Sequence, residues 1–136
     1  MPPGIFAVKA TRFNAATRAT SPDGSKQVTL ALHRAIAAWG GPDRTVLVDG
    51  SLPFESAGLI APCLKILGPD TRIVALSCEA GELRRRFNMR GATGDLNRIL
   101  QQQRTLPEVV PADLTIDSTD LTPAAVADAI AAWLGQ

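Results

Sequence analysis

The chain has 136 residues, of which 46% are hydrophobic, and a formal net charge of +1. This length and apolar content predict one soluble domain, residues 1–136, with a single core. The nearly balanced charge excludes a general attraction to nucleic acid or to an anionic membrane, and aromatic side chains for stacking on bases make up only 4% of the chain. We therefore expect neither nucleic acid nor a membrane as a partner.

The sequence has no apolar run long enough to span a membrane, and its amino terminus lacks the order of a signal peptide. We expect a cytoplasmic protein on these grounds. Cys63 and Cys78 lack metal-ligand spacing and lie among apolar residues, which predicts buried thiols rather than a disulfide or a metal site. His33 has no second histidine and falls on a helical pattern, which predicts a structural or surface role.

The first third of the chain predicts a strand, a loop, a helix and a second strand. Residues 1–26 are irregular: "GIFAVKA" is compatible with a short strand, and "TRFNAATRATSPDGS" is typical of a loop. Apolar spacing predicts an amphipathic helix from Ser25 or Lys26 to Trp39, where "GGPD" ends it. "TVLVD" is then a strand without polar alternation, as in parallel strands that are covered on both faces.

The rest of the chain alternates helices with apolar strands. "LPFESAGLIAPCLKILG" predicts a helix with a kink or a late start at Pro62. "TRIVALSC" predicts a strand, "EAGELRRRFNMR" and "LNRILQQQRT" predict helices, and "ADLTIDST" predicts a strand nearer a sheet edge. Thr122 and Pro123 have the N-cap and first-turn positions of a final helix.

This alternation predicts the fold class. Helices between short apolar strands are typical of α/β proteins with right-handed crossovers. We expect a three-layer α/β fold with a mostly parallel sheet of about three to four strands and with helices on its faces.

Asp49 ends the strand "TVLVD". In an open parallel sheet, ligands collect at the carboxyl ends of the strands, and Asp49, Cys78 and Asp117 fall at or near such ends. A carboxylate at Asp49 is placed to hold Mg²⁺ through water or to accept a proton from a substrate hydroxyl. The alternative is a structural role, because Asp followed by Gly is a common turn pair.

Arginines crowd the segment of residues 79–105, which contains a predicted helix and a lid-like continuation. Arg86 and Arg90 are four residues apart on the helix and therefore face the same side, whereas Arg84 and Arg85 diverge. Paired guanidinium groups suit phosphate oxygens. The alternative is a solvated helix face paired with nearby glutamates. The glycines of "RGATGD" would let the segment hinge as a lid over a phosphate.

The order of these elements carries a family resemblance. "TVLVDG" before a helix, then "TRIVALSCEAGELRRRFNMRG", a short arginine- and glutamine-bearing insert and "ADLTIDSTDLTPAAVADAI" resemble small-molecule P-loop kinases of the chloramphenicol phosphotransferase-like group and, more distantly, gluconate kinases. The resemblance runs from about Gln27 to Leu134. It implies transfer of the γ-phosphoryl group of ATP to a hydroxyl of a small molecule, mostly by positioning and charge stabilisation.

The resemblance also implies cofactors and site residues. The cofactors are ATP and Mg²⁺. Asp49 matches the acid near the metal and substrate, which makes it the catalytic and metal-side candidate. Arg86, Arg90 and Arg98 match the lid arginines that contact the ATP phosphates.

The chain departs from that family at the phosphate loop. The family begins with a strand and GxxxxGK[ST], whose amides and lysine hold the phosphates. The closest segment here is "SPDGSKQVTLALHRAI", which lacks the first glycine. Ser25 separates Gly24 from Lys26, and Gln27 occupies the Ser/Thr position. In the comparison with that family, Met1 falls after the family's first strand, phosphate loop and second strand. We therefore expect residues 1–26 to match the family's substrate-side segment.

Two hypotheses follow. The first is a kinase-like phosphotransferase domain with a truncated P-loop kinase fold, incomplete or degenerate because it lacks a Walker A motif. The alternative is a non-catalytic binding or assembly module that pairs with itself or with another chain. The alternative follows because a sheet without its first strand exposes an unpaired edge and an apolar face.

Overall fold

A computed structural model describes residues 5–7, 22–40, 43–49, 57–91 and 94–136 of the chain. The elements in this part, in chain order, are β1 (Ile5–Ala7), α1 (Pro22–Trp39), β2 (Leu47–Asp49), α2 (Ala57–Leu67), β3 (Arg72–Ser77), α3 (Ala80–Met89), α4 (Leu96–Val109), β4 (Leu114–Asp117) and α5 (Pro123–Leu134). Strands β1 and β2 pair in parallel, and so do β3 and β4. Helices and parallel strands alternate along the chain, which confirms the predicted α/β class.

The chain divides into two compact units, residues 1–73 and 74–136. The division falls inside β3, so that most of this strand belongs to the second unit. In the first unit β1 and β2 pair in parallel, and the final residues of the two strands, Ala7 and Asp49, lie opposite each other. Helix α1 packs against α2. Asp49 therefore ends a parallel strand, as the sequence predicts.

The core of the first unit is built mainly from α2. Leu59, Ile60 and Cys63 on this helix are buried, and Cys63 has no exposed surface. Burial raises the pKa of the Cys63 thiol, which keeps it protonated and unreactive. His33 on α1 is also buried, and its Nδ1–H donates to the carbonyl oxygen of Thr29 at 2.8 Å. The predicted buried thiol at Cys63 and the structural role of His33 are both confirmed.

The second unit contains the parallel pair β3 and β4. The register runs from Val74 opposite Leu114 to Ser77 opposite Asp117. Val74 has no exposed surface, and Ile116 on β4 is buried as well. The apolar run of β3 thus forms a core face, as expected for a covered parallel strand. Helix α3 packs against α4 in the same unit.

Several helix ends follow directly from the sequence. The Thr122 hydroxyl accepts a hydrogen bond from the Ala125 amide at 3.1 Å, and Pro123 begins α5, so that the predicted N-cap is confirmed. Gly68 follows α2 with φ of +93°, and its amide donates to the Leu64 carbonyl at 3.0 Å. Glycine adopts this left-handed conformation at little cost, which explains why the helix ends there.

Two helices are longer than the sequence analysis predicts. Helix α1 begins at Pro22 rather than at Ser25 or Lys26, because proline fits the first turn of a helix. Helix α4 continues through Pro107 to its end in Val109, although proline has no amide to donate to the carbonyl of the preceding turn.

The sequence predicts that α2 either starts late or kinks at Pro62, and the late start is wrong. The helix begins at Ala57, so Pro62 lies inside it and is not its start. Residues 8–21, 50–56 and 92–93 lie outside the described part of the chain. They include most of the predicted irregular amino-terminal segment and the centre of the predicted glycine hinge.

Candidate functional site at the ends of β3 and β4

Polar groups collect at the carboxyl ends of β3 and β4. Ser77 and Asp117 are the last residues of these strands and lie opposite each other in the register. Beyond them the strand ladder ends, so the backbone groups of the following loops need other partners. The β3–α3 loop (78–79) and the β4–α5 loop (118–122) find these partners in each other and in α3.

Ser118 joins the two strand ends directly. Its amide donates to the Ser77 carbonyl oxygen at 2.8 Å, and its hydroxyl donates to the same oxygen at 2.9 Å. The Ser77 hydroxyl in turn donates to the Ile116 carbonyl oxygen at 3.5 Å. A single carbonyl with two donors fixes the first residue of the β4–α5 loop against the end of β3.

Asp117, Thr119 and Glu79 form a hydrogen-bonded chain across the two loops. The Glu79 amide donates to the Thr119 hydroxyl oxygen at 2.8 Å. That hydroxyl donates to Asp117 Oδ1 at 2.5 Å, and the Thr119 amide donates to the same carboxylate oxygen at 2.9 Å. The Thr119 hydroxyl and amide hold the pKa of Asp117 below its usual value. Asp117 is therefore a carboxylate with one oxygen fixed by the loop.

Glu79 has a second role as the N-cap of α3. Its carboxylate accepts hydrogen bonds from the amides of Gly81 at 2.9 Å and Glu82 at 3.1 Å. These two amides, which would otherwise lack partners at the helix start, lower the pKa of Glu79. The backbone of Glu79 thus contacts the β4–α5 loop while its side chain holds the first turn of α3.

Arg86 connects α3 to the β4–α5 loop. One terminal nitrogen, Nη2, donates to the carbonyl oxygens of Ser118 at 2.8 Å and of Thr119 at 3.0 Å. Nη1 donates to the Ser118 hydroxyl at 3.4 Å, and Nε donates to Glu82 Oε1 at 2.6 Å. A guanidinium has five N–H donors, and these contacts use most of them.

Glu82 lies between two arginines of α3. Arg85 donates to both of its carboxylate oxygens, at 2.6 and 2.7 Å, and Arg86 donates to Oε1. These hydrogen bonds, with Arg85 contributing most, lower the pKa of Glu82 to about 2. Arg85 also donates to the sulfur of Met89 at 2.7 Å. Arg85 thus belongs to a helix face that is paired with a glutamate, which is the alternative named in the sequence analysis.

Helix α4 reaches the site through Gln103. Its side-chain oxygen accepts a hydrogen bond from the Cys78 amide at 3.1 Å. Cys78 itself is a free, half-buried thiol, so the prediction of a buried thiol is wrong for this residue. The amide of the first residue after β3 is thereby satisfied by a side chain from another helix.

The predicted phosphate-binding arginines differ in their surroundings. Arg86 is half-buried and bonded as described above. Arg90 is exposed at the carboxyl end of α3, where its amide donates to the Arg86 carbonyl at 3.2 Å. Arg98 is half-buried in α4, and its amide donates to the carboxylate of Asp95 at 3.2 Å. Within this unit, Arg90 is thus the most solvent-accessible of the three.

Asp49, the predicted catalytic and metal-side acid, belongs to the first unit. Its backbone ends β2 opposite Ala7, and its side chain lies outside the described part of the structure. The described residues contain no group of three or more His, Cys, Asp or Glu side chains placed to hold a metal ion.

Sequence reasoning missed four residues that build the site: Glu79, Gln103, Ser118 and Thr119. The string "DSTD", which begins with the last residue of β4, is a signal for part of the site, because Asp, Ser and Thr side chains often bond to the backbone at the start of a loop. Gln103 gives no such signal, since its contact depends on how α4 lies beside β3.

No family model, curated protein or solved structure matches the chain. The kinase resemblance therefore depends on the sequence motifs alone. Among the described residues, no helix is long and apolar enough to cross a membrane.

The depressed pKa of Glu82 predicts a pH-dependent stability. Its pKa falls from 4.5 to about 2 on folding, so its contribution is complete above about pH 4.5 and is lost as the pH falls towards 2. The pKa shifts of Glu79 and Asp117 have the same sign. We expect Glu82→Gln to reduce the slope of unfolding free energy against pH in this acidic range, as measured by urea titrations.

Arg84→Gln is the matched control for this experiment, because it removes a charge from the same helix and leaves the hydrogen bonds of Glu82 in place. We expect it to change the slope less than Glu82→Gln does, because the Arg84 charge is the smallest of the causes that lower the pKa of Glu79. An unchanged slope in Glu82→Gln would contradict the role of the Glu82 contacts in stability.

Proposed function

We propose that this chain is a kinase-like phosphotransferase domain that acts from ATP on a hydroxyl of a small molecule, in an incomplete form without a Walker A loop. The proposal includes a three-layer arrangement and a truncated P-loop kinase fold. The observation that carries it is the position of Asp49 at the carboxyl end of β2, in a parallel strand pair. Ligands of open parallel α/β sheets bind at this edge.

The proposed role of Asp49 follows from its place. A carboxylate at a strand end can hold Mg²⁺ through water or accept the proton of the substrate hydroxyl. In the proposal Mg²⁺ arrives with the nucleotide, as it does in most phosphoryl-transfer enzymes. Asp49 is then the residue whose amide substitution weakens binding of the metal–nucleotide complex.

The proposed phosphate contacts fall first on Arg90. Its side chain is exposed, and Gly91 directly after it has φ of +56°, which ends α3 in a turn. Arg86 would have to give up hydrogen bonds to Glu82 and to the β4–α5 loop before it could contact a phosphate. Arg98 is less accessible than Arg90. Of the three arginines that the resemblance implies, Arg90 is the one whose surroundings best suit a contact to a phosphate.

The missing phosphate loop sets the expected strength of binding. In P-loop proteins, the backbone amides of that loop and its lysine provide most of the contacts to the phosphates. Without them, arginine and carboxylate contacts remain. We therefore expect weak nucleotide binding in this chain.

Calorimetric titration with ATP and Mg²⁺ tests this proposal. We expect measurable binding to the wild type at about 1 mM ATP. Arg90→Gln and Asp49→Asn should each weaken the affinity by about tenfold, since a hydrogen bond to a charged group contributes about 1.5 kcal/mol.

Arg84→Gln is the matched control, because Arg84 is an exposed arginine of the same helix and has no part in the proposed site. Its affinity should equal that of the wild type. Absence of heat in a folded wild-type sample, or equal losses in Arg84→Gln and Arg90→Gln, would refute the proposed nucleotide site.

The alternative, an assembly module, is favoured by a separate observation in the first unit. Trp39 at the end of α1 is 72% exposed, and Leu47 at the start of β2 is 65% exposed. Large apolar side chains in water are often part of an interface. The occupant we propose is a second copy of the chain.

Sedimentation velocity over a range of concentrations tests self-association. We expect the wild type to form a dimer, and Trp39→Ser or Leu47→Ser to raise its dissociation constant by about tenfold or more. Met89→Ser is the control, since Met89 is also 72% exposed but lies in the second unit. A monomer at every concentration would contradict the assembly hypothesis.

A further inference from the structure

Arg86 makes contacts that its predicted role does not explain. Its guanidinium meets two successive main-chain carbonyls, those of Ser118 and Thr119, at 2.8 and 3.0 Å. These residues lie 32 and 33 positions further along the chain. A contact of this kind orders backbone rather than binding a ligand, because carbonyl oxygens of a loop are otherwise left to water.

Glu82 holds the guanidinium of Arg86 from the other side. The ion pair between Arg86 Nε and Glu82 Oε1 is 2.6 Å long, and the Arg86 side chain is 30% exposed. The ion pair uses two residues one helical turn apart, so it orients the guanidinium without reaching the loop itself. The remaining donors therefore point in a fixed direction towards the β4–α5 loop.

The carbonyl oxygens that accept from Arg86 belong to the turn that orients the Asp117 carboxylate. The Leu121 amide closes this turn on the Ser118 carbonyl at 3.3 Å. Thr119, whose own carbonyl is bonded to Arg86, places its amide and hydroxyl on Asp117 Oδ1. The orientation of the strand-end carboxylate thus depends on the loop, and the loop is bonded to Arg86.

We infer that Arg86 is a positioning residue: it fixes the turn Ser118–Leu121 against α3 and so orients the Asp117 carboxylate at the end of β4. A ligand that binds at these strand ends depends on Arg86 without contacting it. Only this statement about ligands rests on the proposed nucleotide site. The ordering of the turn is independent of any ligand.

Amide hydrogen exchange in the ligand-free protein tests the inference. The informative amides are those of Glu79, Thr119 and Leu121, whose hydrogen bonds lie within or across the turn. In Arg86→Gln we expect them to exchange about tenfold faster than in the wild type, because local opening costs less once the two carbonyl contacts are lost.

Arg85→Gln is the matched control. Arg85 bonds to the same Glu82 carboxylate but makes no contact to the turn among the described hydrogen bonds. Its exchange rates in the turn should equal those of the wild type. Equal rates in Arg86→Gln and the wild type, or equal acceleration in Arg85→Gln, would overturn the inference.

Arg86→Lys keeps the test decisive if Arg86→Gln fails to fold. An ammonium retains the charge but lacks the planar fork, so it cannot reproduce the set of contacts to Glu82, Ser118 and Thr119. We expect intermediate exchange rates in this variant. Rates equal to those of the wild type would show that a point charge suffices, and would refute the positioning role of the guanidinium.

Titration with ATP and Mg²⁺ separates this inference from the proposed function. If Arg86 positions the site, Arg86→Gln lowers the affinity but leaves its salt dependence unchanged, whereas loss of a direct phosphate contact reduces that dependence. If the wild type binds no ATP, the proposed function fails and the exchange result still decides the role of Arg86.

Discussion

The hydrogen bonds of Arg86 to the Ser118 and Thr119 carbonyls join α3 to the β4–α5 loop at the strand ends of the second unit. The parallel ladder of β3 and β4 ends at Ser77 and Asp117, and the loops beyond have no strand partner. Main-chain groups that leave a ladder need substitutes, and here one guanidinium provides them for two carbonyls. The contact joins α3 to the strand end it faces within this unit.

The carboxylates around this contact are all stabilised in the ionised form. Glu82 accepts from two arginines, Glu79 accepts from the first amides of α3, and Asp117 accepts from Thr119. Each therefore has a lowered pKa, for a local reason in each case. Of the Asp117 carboxylate, Oδ1 accepts both bonds from Thr119. The exposed Arg90 lies outside this network.

Local signals predicted much of the fold. The N-cap of α5 at Thr122 and the end of α2 at Gly68 could be predicted, because each depends only on residues that are close in sequence. The class of α/β fold followed from apolar strands between helices. The apolar spacing of α1 begins only at Val28, so it does not predict the start at Pro22, where proline fits the first helical turn.

The site was less predictable than the fold. The spacing of Arg86 and Arg90 predicted that both lie on one helix, and the structure has Arg86 on α3 and Arg90 as the cap at its carboxyl end. The spacing could not reveal that Arg86 contacts residues more than thirty positions away. Gln103 was missed for the same reason, since its bond to Cys78 depends on helix packing. The sequence pattern identifies which side chains can bind an anion. The tertiary contacts determine which of these side chains already have hydrogen-bond partners within the protein.

Nuclear magnetic resonance of the arginine side chains tests the central claim about Arg86 most directly. A guanidinium held by Glu82 and two carbonyls should rotate slowly and give separate, exchange-protected Nη–H signals, with the Arg86→Lys variant providing the assignment. The exposed Arg84 and Arg90 should give averaged signals. Averaged signals from Arg86 as well would mean that it does not hold the β4–α5 loop.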